Sequence, residues 1–266
     1  MEFHVVIPAR YASTRLPGKP LLEIAGRPMV QHVVERACAS GATQVLVATD
    51  DARIAAVVTD PRAPGVGIAV MTDPALSSGT DRVAAVAAGR GWSDDTIVVN
   101  VQGDEPFLPP ALIDQVARLL ERDAAAGIAT LAAPIESLEH FVDTNVVKVV
   151  RATDGAALYF SRAPIPWTRD GAPAGLASQR DFGDALRHIG IYAYRVGALR
   201  RITSLAPSSL ELREKLEQLR AMQNGVRIVV ENCIESPGSG VDTQQDLEHA
   251  RARAAACSAP SAGGGR

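Results

Sequence analysis

The first half of the chain alternates between short apolar runs and longer amphipathic stretches. The short runs are rich in β-branched residues and apolar at successive positions, which is typical of parallel strands buried on both faces. They cover residues 3–9, 44–50, 67–72, 96–102 and 127–135. Helical spacing follows Pro28, Asp51, Gly79 and Pro110. Strands and helices in this regular order predict βαβ units and an α/β fold with a doubly wound, mostly parallel sheet.

The pattern changes after about residue 140. The apolar positions alternate more strictly in 145–151, 156–162 and 188–195, which predicts antiparallel or mixed strands. Between them, 167–185 is polar and predicts a mobile loop. Helical spacing returns at 209–222, a strand is predicted at 226–231, and a last helix from Asp242 to about Ala255. We expect a single domain over 1–256, with a first part to about residue 140, and a disordered tail at 257–266.

Composition narrows the class of protein. The 266 residues carry a net charge of −3, with 47% hydrophobic and 21% charged residues, which is typical of a soluble globular protein without a nucleic-acid footprint. No apolar run reaches the ~18 residues of a membrane span, and the apolar start is too short for a signal-peptide core. The three cysteines are far apart and predict reduced thiols in a cytoplasmic protein.

The loop after the first strand carries three cations. In an open α/β sheet, ligands bind beyond the carboxyl ends of the strands. Residues 8–20 place Arg10, Arg15 and Lys19 there, which suits a polyphosphate because arginine binds phosphate oxygens bidentately and lysine supplies a point charge. The loop is not a P-loop, since Pro20 follows Gly-Lys where Ser or Thr is required. A solvated basic loop is the alternative.

Acidic residues follow the fourth strand and precede the last helix. Asp104 and Glu105 come directly after the strand, and Asp242 precedes Thr243. Mg²⁺ is commonly held by one or two carboxylates together with substrate phosphates. The alternatives are a turn for Asp104 and a helix N-cap for Asp242.

Other polar groups fit a nucleotide or a sugar acid. At the start of the third helix, residues 77–82 have backbone N–H groups that suit a phosphate, ribose or base edge, while Ser78 or Thr80 as a cap is the alternative. His188 and Tyr192 are four residues apart on one strand. With Arg162 and Glu217 they offer a cation for a carboxylate and polar groups for hydroxyls, although a strand histidine is often structural.

Nine motifs occur in a characteristic order. They are PARYASTRLPGKPL, VATDD, SGTDR, NVQGDEP, NVVKVV, ALYFSRAPIPW, RHIGIYAYR, LEQLR and GVDTQQDLE. From residue 3 to about residue 250 the chain resembles the 3-deoxy-manno-octulosonate (Kdo) cytidylyltransferase family of the sugar nucleotidyltransferase superfamily. The resemblance implies a Rossmann-like nucleotidyltransferase fold. It also implies transfer of CMP from CTP to Kdo with release of pyrophosphate, Mg²⁺ as cofactor, a role in lipopolysaccharide synthesis in the cytoplasm, and a homodimer.

The resemblance also implies roles for individual residues. The predicted nucleotide contacts are Ala9, Arg10, Arg15, Lys19, Ser78, Gly79 and Arg82. The predicted sugar contacts are Gln102, Arg162, His188, Tyr192 and Glu217, of which the last four lie in the part after residue 140 that would also form the dimer. Asp104 and Asp242 would hold the metal, and with Arg10 and Lys19 they form the implied catalytic set.

Two other functions stay open from the sequence. One is a cytidylyltransferase for another sugar acid, such as a sialic acid. The other is a non-catalytic nucleotide-binding protein on the same fold. Because the chain keeps both Arg10 with Lys19 and Asp104 with Asp242, and binding alone does not require the whole set, the second is disfavoured.

Overall fold

The first part of the molecule has the predicted alternation of strands and helices. The computed structural model describes residues 1–12, 16–60, 62, 63, 65, 67–171 and 174–258. The elements of this part are β1 (Phe3–Pro8), β2 (Glu23–Ile24), β3 (Arg27–Pro28), α1 (Met29–Cys38), β4 (Gln44–Thr49), α2 (Ala52–Val58), β5 (Ile68–Met71), α3 (Gly79–Gly89), β6 (Ile97–Asn100), α4 (Pro110–Arg122) and β7 (Ile128–Pro134). Of these, the short β2–β3 hairpin was not predicted.

The second part contains shorter elements. They are α5 (Leu138–Val142), β8 (Lys148–Arg151), β9 (Ala157–Ser161), β10 (Leu186–Arg195), α6 (Val196–Thr203), α7 (Ser209–Glu214), α8 (Gln218–Gln223), β11 (Ile228–Asn232) and α9 (Gln244–Ser258). The sequence pattern missed α5 and α6, each of which has eight residues or fewer. No helix in the described ranges has the length and apolar character needed to cross a membrane.

One sheet joins both parts. In the described part of the chain its main order is β11-β7-β10-β6-β1-β4-β5, and β8 and β9 extend it beside β10. Strand β10 runs antiparallel to its neighbours β6 and β7, whereas the pairs β1–β4, β1–β6, β4–β5 and β7–β11 are parallel. The doubly wound, mostly parallel α/β sheet with mixed strands in the second half is therefore confirmed.

Helices cover both faces of the sheet, as continuous apolar strands require. On one face Val5 and Ile7 pack with residues of α1 and α4. On the other, Val6 packs with residues of α3, α6 and α8. This arrangement leaves the carboxyl ends of β1 and β6 open at one edge.

Two helices differ from their predicted bounds. The predicted helix at 209–222 is two helices, because Lys215 adopts the left-handed conformation (φ 56°, ψ 47°) and ends α7. The last helix continues to Ser258, so it includes two residues of the predicted disordered tail, and the rest of that tail, 259–266, lies outside the described residues. Within the predicted mobile loop, a short 3-10 helix spans Leu176–Ser178.

Candidate active site

A cavity at the carboxyl ends of β1 and β6, here called the charged cavity, collects most of the predicted nucleotide and metal residues. It is lined among others by Ala9, Arg10, Lys19, Arg82, Asp104 and Asp242. The two strand ends approach closely at Gly103, where a Cβ atom would lie 2.8 Å from the carbonyl oxygen of Pro8. Only glycine fits this approach, which brings the loop after β6 against the loop after β1.

Lys19 is bound by both predicted metal ligands. Its Nζ donates to Asp104 Oδ2 at 2.7 Å, to Asp242 Oδ1 at 2.9 Å and to the carbonyl oxygen of Val241 at 3.0 Å. Partial burial alone would lower the pKa of Lys19, but the two carboxylates outweigh this effect and raise it above its ordinary value. The three side chains, far apart in sequence, therefore form one cluster around a positive charge.

Asp242 is not needed to cap the last helix. The amide of Asp246 donates to Thr243 Oγ1 at 3.2 Å, and the amide of Thr243 donates to Asp246 Oδ2 at 2.8 Å. This reciprocal pair is a capping box, which satisfies the first turn of α9. The Asp242 carboxylate instead faces Lys19.

Arg82 is a fixed cation in the charged cavity. Its side chain is 2% exposed, and its guanidinium donates to Asp50 Oδ2 at 2.7 Å and to Thr72 Oγ1 at 2.6 Å. Asp50 is the fourth residue of the VATDD motif, so that motif contributes by orienting Arg82. Arg10 lies at the exposed rim. Arg15, the third predicted cation, lies outside the described residues.

The donor set of the charged cavity fits a divalent cation. Two carboxylate oxygens and a carbonyl oxygen already converge on one positive charge, the Lys19 ammonium. No cluster of three or more candidate ligand side chains occurs among the described residues, so a divalent cation held here would have to take further ligands from substrate phosphates and water. Burial, followed by repulsion from Asp104 and Asp242, raises the pKa of Glu105 to about 8.

A second cavity, here called the polar cavity, adjoins the first. It is lined among others by Thr80, Asn100, Tyr192, Tyr194, Lys215 and Glu217. Gly79 and Gln102 line both cavities, so the two spaces meet at the start of α3 and the end of β6. The predicted sugar residues Gln102, Tyr192 and Glu217 are thereby brought together beside the charged cavity.

Hydrogen bonds connect the walls of the polar cavity. Thr80 Oγ1 donates to Glu217 Oε2 at 2.8 Å, which ties α3 to the start of α8. The Tyr194 hydroxyl lies beside the side chains of Thr80 and Asn100, and burial raises its pKa above the ordinary value. The sequence reasoning missed Asn100 and Tyr194. The two-residue period of a strand could have found them, since Asn100 precedes Gln102 and Tyr194 follows Tyr192 by two positions.

Two predicted sugar residues line neither cavity. The guanidinium of Arg162 donates to the carbonyl oxygens of Glu214 (2.7 Å) and Thr144 (2.9 Å). His188 lies behind Tyr192, with ring centroids 5.2 Å apart and its Nε2 2.9 Å from Thr130 Oγ1. Burial lowers the pKa of His188 to about 3, so its ring is neutral near pH 7. Direct sugar contact by these two residues stays a prediction.

Ser78 has the structural role that the sequence left open. It is the N-cap of α3, and its hydroxyl and the Asp81 carboxylate form a capping box. Ser78 also lines the polar cavity, next to Gly79. The capping alternative is therefore confirmed for Ser78, while the predicted nucleotide contact stays a prediction.

Comparisons with known proteins agree with this geometry. A cytidylyltransferase family model matches residues 4–228. The chain is 54% identical to the 3-deoxy-manno-octulosonate cytidylyltransferase of Thioalkalivibrio sulfidiphilus (93% of this chain, 97% of the relative). It is 56% identical to the protein of that name from Xanthomonas euvesicatoria (96% of both chains).

Comparison with solved structures supports the same family and its fold. A CMP:2-keto-3-deoxy-manno-octonic acid synthetase complexed with CTP superposes with a TM-score of 0.85 at 42% identity, over 96% of this chain and 99% of that one. A cytidylyltransferase from Leptospira borgpetersenii, at 16% identity and TM-score 0.58 over 94% and 85% of the chains, shares the fold. The chain therefore belongs to the cytidylyltransferase family, and within it to the 3-deoxy-manno-octulosonate cytidylyltransferases.

Proposed function

We propose that this chain transfers CMP from CTP to the anomeric hydroxyl of Kdo and releases pyrophosphate. The observation that carries the proposal is the pair of adjoining cavities. One gathers Arg10, Lys19, Arg82 and two carboxylates, and the other is lined by hydroxyl, amide and carboxylate groups. The relatives at 54–56% identity bear the name of this activity, and the similar solved structure is a complex with CTP.

The cations of the charged cavity suit a triphosphate. Phosphoryl transfer requires positioning and charge neutralisation more than covalent chemistry from the protein. Arg82 is held in place by Asp50 and so offers a preorganised guanidinium, whereas Lys19 is a compact point charge held by Asp104 and Asp242. When phosphates enter, the Lys19 ammonium exchanges a carboxylate partner for a phosphate oxygen.

Asp104 and Asp242 would hold Mg²⁺ beside those phosphates. The metal would neutralise phosphate charge and lower the pKa of a bound hydroxyl. The two carboxylates keep a net negative charge next to Lys19, which favours a second cation in the cluster. This accounts for a site in which no side chain stands out as a nucleophile.

The junction of the two cavities suits the attack geometry. A sugar acid in the polar cavity would lie between Tyr192 and Glu217, with its anomeric hydroxyl directed towards Gln102 and Gly79, which line both spaces. Glu217 is oriented by Thr80 at 2.8 Å and can accept a hydrogen bond from a sugar hydroxyl. Attack on the α-phosphorus of CTP then expels pyrophosphate on the side of the cations.

We further propose that the protein works as a cytoplasmic homodimer that supplies lipopolysaccharide synthesis. The substrate, CTP, supports the compartment, and the product supports the pathway. An interface through the mixed strands is supported by β9, which pairs only with β8 among the named strands and exposes 60% of Leu158. Light scattering on the purified protein tests the dimer.

The decisive test is pyrophosphate release from CTP that depends on Kdo. We expect release with Kdo and Mg²⁺, and none when the sugar or the metal is omitted. Replacing Kdo by a sialic acid distinguishes the alternative sugar acid, because the charged cavity is common to both reactions. CTP binding without release for any sugar acid would contradict the proposal and favour a nucleotide-binding protein.

A further inference from the structure

Asn100 has an amide end without a partner at the base of the polar cavity. The residue is 1% exposed, and its Oδ1 accepts no hydrogen bond from any described residue. Its backbone is fixed within the sheet, where it is paired with Val6 on one side and with Tyr192 on the other. Buried polar atoms are normally satisfied, so an unpaired one in a residue that lines a cavity points to a ligand group as its partner.

The other neighbours of Asn100 are polar as well. The Tyr194 hydroxyl lies beside the side chains of Asn100 and Thr80, and Thr80 in turn donates to Glu217 at 2.8 Å. A row of polar side chains thus runs along the cavity from β6 through β10 and α3 to α8. One end of this row is the Glu217 carboxylate, and the other is the unpaired end of the Asn100 amide.

We propose that Asn100 is a further sugar-binding residue, whose unpaired amide end hydrogen-bonds one hydroxyl of the sugar acid and so helps to determine which sugar is accepted. The inference rests on the proposed function and extends it to a residue that the sequence did not indicate. A neutral amide suits a hydroxyl better than a carboxylate or phosphate, for which Arg10, Lys19 and Lys215 provide charge. A hydroxyl both donates and accepts, so it satisfies either end of the amide.

The test combines one variant with a set of sugar analogues. Kdo and analogues that each lack one hydroxyl are assayed by pyrophosphate release with wild type and Asn100→Ala. We expect wild type to lose about 10-fold to 100-fold in kcat/KM on one analogue, because a buried polar group is then left unpaired. Asn100→Ala should lose a similar factor on Kdo but nothing further on that analogue, and should keep the wild-type KM for CTP.

Two more variants make the test specific. Tyr194→Phe removes the hydroxyl beside the amide, and should reduce discrimination of the same analogue by a smaller factor. The matched control is His4→Phe, since the buried His4 Nδ1 also lacks a partner among the described residues but stacks on Trp92 (ring centroids 4.3 Å apart) and lines neither cavity. His4→Phe should leave every analogue ratio at the wild-type value.

The possible results separate this inference from the proposed function. A wild type that releases no pyrophosphate with Kdo overturns both. An active wild type overturns this inference alone if Asn100→Ala and Tyr194→Phe lose the same factor on Kdo and on every analogue. If Asn100→Ala does not fold, unchanged analogue ratios in Tyr194→Phe overturn it as well.

Discussion

The two cavities differ in how their residues are brought together. The charged cavity is built mainly from loops that follow parallel strands, and its charged groups contact each other directly, as Lys19 does with Asp104 and Asp242. The polar cavity is built from β10, the antiparallel strand, and from the junction of α7 and α8. The position of a parallel strand end can be inferred from sequence, whereas the packing of α7 and α8 over the sheet depends on tertiary contacts.

The strongest test of this comparison removes a carboxylate from the charged cavity. Asp242→Asn should fold normally and lose about 10³-fold in kcat, because the amide keeps the size but not the charge that a hard cation prefers. Asp104→Asn should behave alike, with partial rescue by high Mg²⁺ or Mn²⁺. Steady-state kinetics over a metal titration measures both.

The control for the carboxylates is Asp114→Asn. Asp114 accepts a hydrogen bond from the Gly41 amide at 2.8 Å and lines neither cavity, so the variant should keep wild-type turnover. The double variant of Asp104 and Asp242 should lose little beyond the worse single one, since residues that act as a unit are not additive. Near-normal turnover of Asp242→Asn at millimolar Mg²⁺ would contradict the shared metal site.

Removing the cation that joins these carboxylates should have the next largest effect. Lys19→Ala should raise the KM for CTP and lower kcat by about 10²–10³-fold, because negative charge grows on the leaving pyrophosphate. Arg62→Ala removes a cation that is 89% exposed and paired with Asp60, and should leave both constants unchanged. CTP kinetics equal to wild type in folded Lys19→Ala would exclude Lys19 from the site.

The same contrast explains which predictions from sequence succeeded. The strands of the sheet could be predicted because their apolar runs are continuous, and the cations and carboxylates because they follow strand ends. The break between α7 and α8 could not be predicted, because Lys215 occupies a left-handed position with no glycine to indicate it. The direction of the Arg162 side chain could not be predicted either, because it depends on hydrogen bonds to the Glu214 and Thr144 carbonyl oxygens.

Arg162 tests whether the polar cavity depends on its supports. Arg162→Ala should weaken the affinity for Kdo about 10-fold to 100-fold and change the affinity for CTP little. The lost bonds hold Glu214, three residues before Glu217, and the lost cation is the predicted partner of the sugar carboxylate. Calorimetry with each ligand separately measures the two affinities.

The matched control for Arg162 is Arg151→Ala. Arg151 lies on the neighbouring strand β8 and donates to the carbonyl oxygen of Val230 at 3.1 Å, away from α7 and α8. Arg151→Ala should affect the stability of the fold, and any loss of Kdo affinity should equal the loss of CTP affinity. Equal losses of Kdo and CTP affinity in Arg162→Ala would show that Arg162 supports the fold and not the polar cavity in particular.

The smallest expected effect concerns the backbone of the polar cavity. Lys215 ends α7 at a position where glycine is preferred, because a Cβ atom makes the left-handed conformation unfavourable. Relief of the left-handed conformation is worth about 1–2 kcal/mol, and the greater chain entropy of glycine offsets about 0.5–1 kcal/mol of it, so Lys215→Gly should raise the free energy of unfolding by about 0.5–1 kcal/mol in a denaturant titration. Lys215→Ala removes the same charge but keeps the Cβ, so it should give no such gain in stability.

Because Lys215 lines the polar cavity, both variants should raise the KM for Kdo by the same few-fold factor. A higher KM in Lys215→Gly alone would mean that the backbone conformation matters to sugar binding and the ammonium does not, and an unchanged KM in both would remove Lys215 from the recognition of the sugar acid.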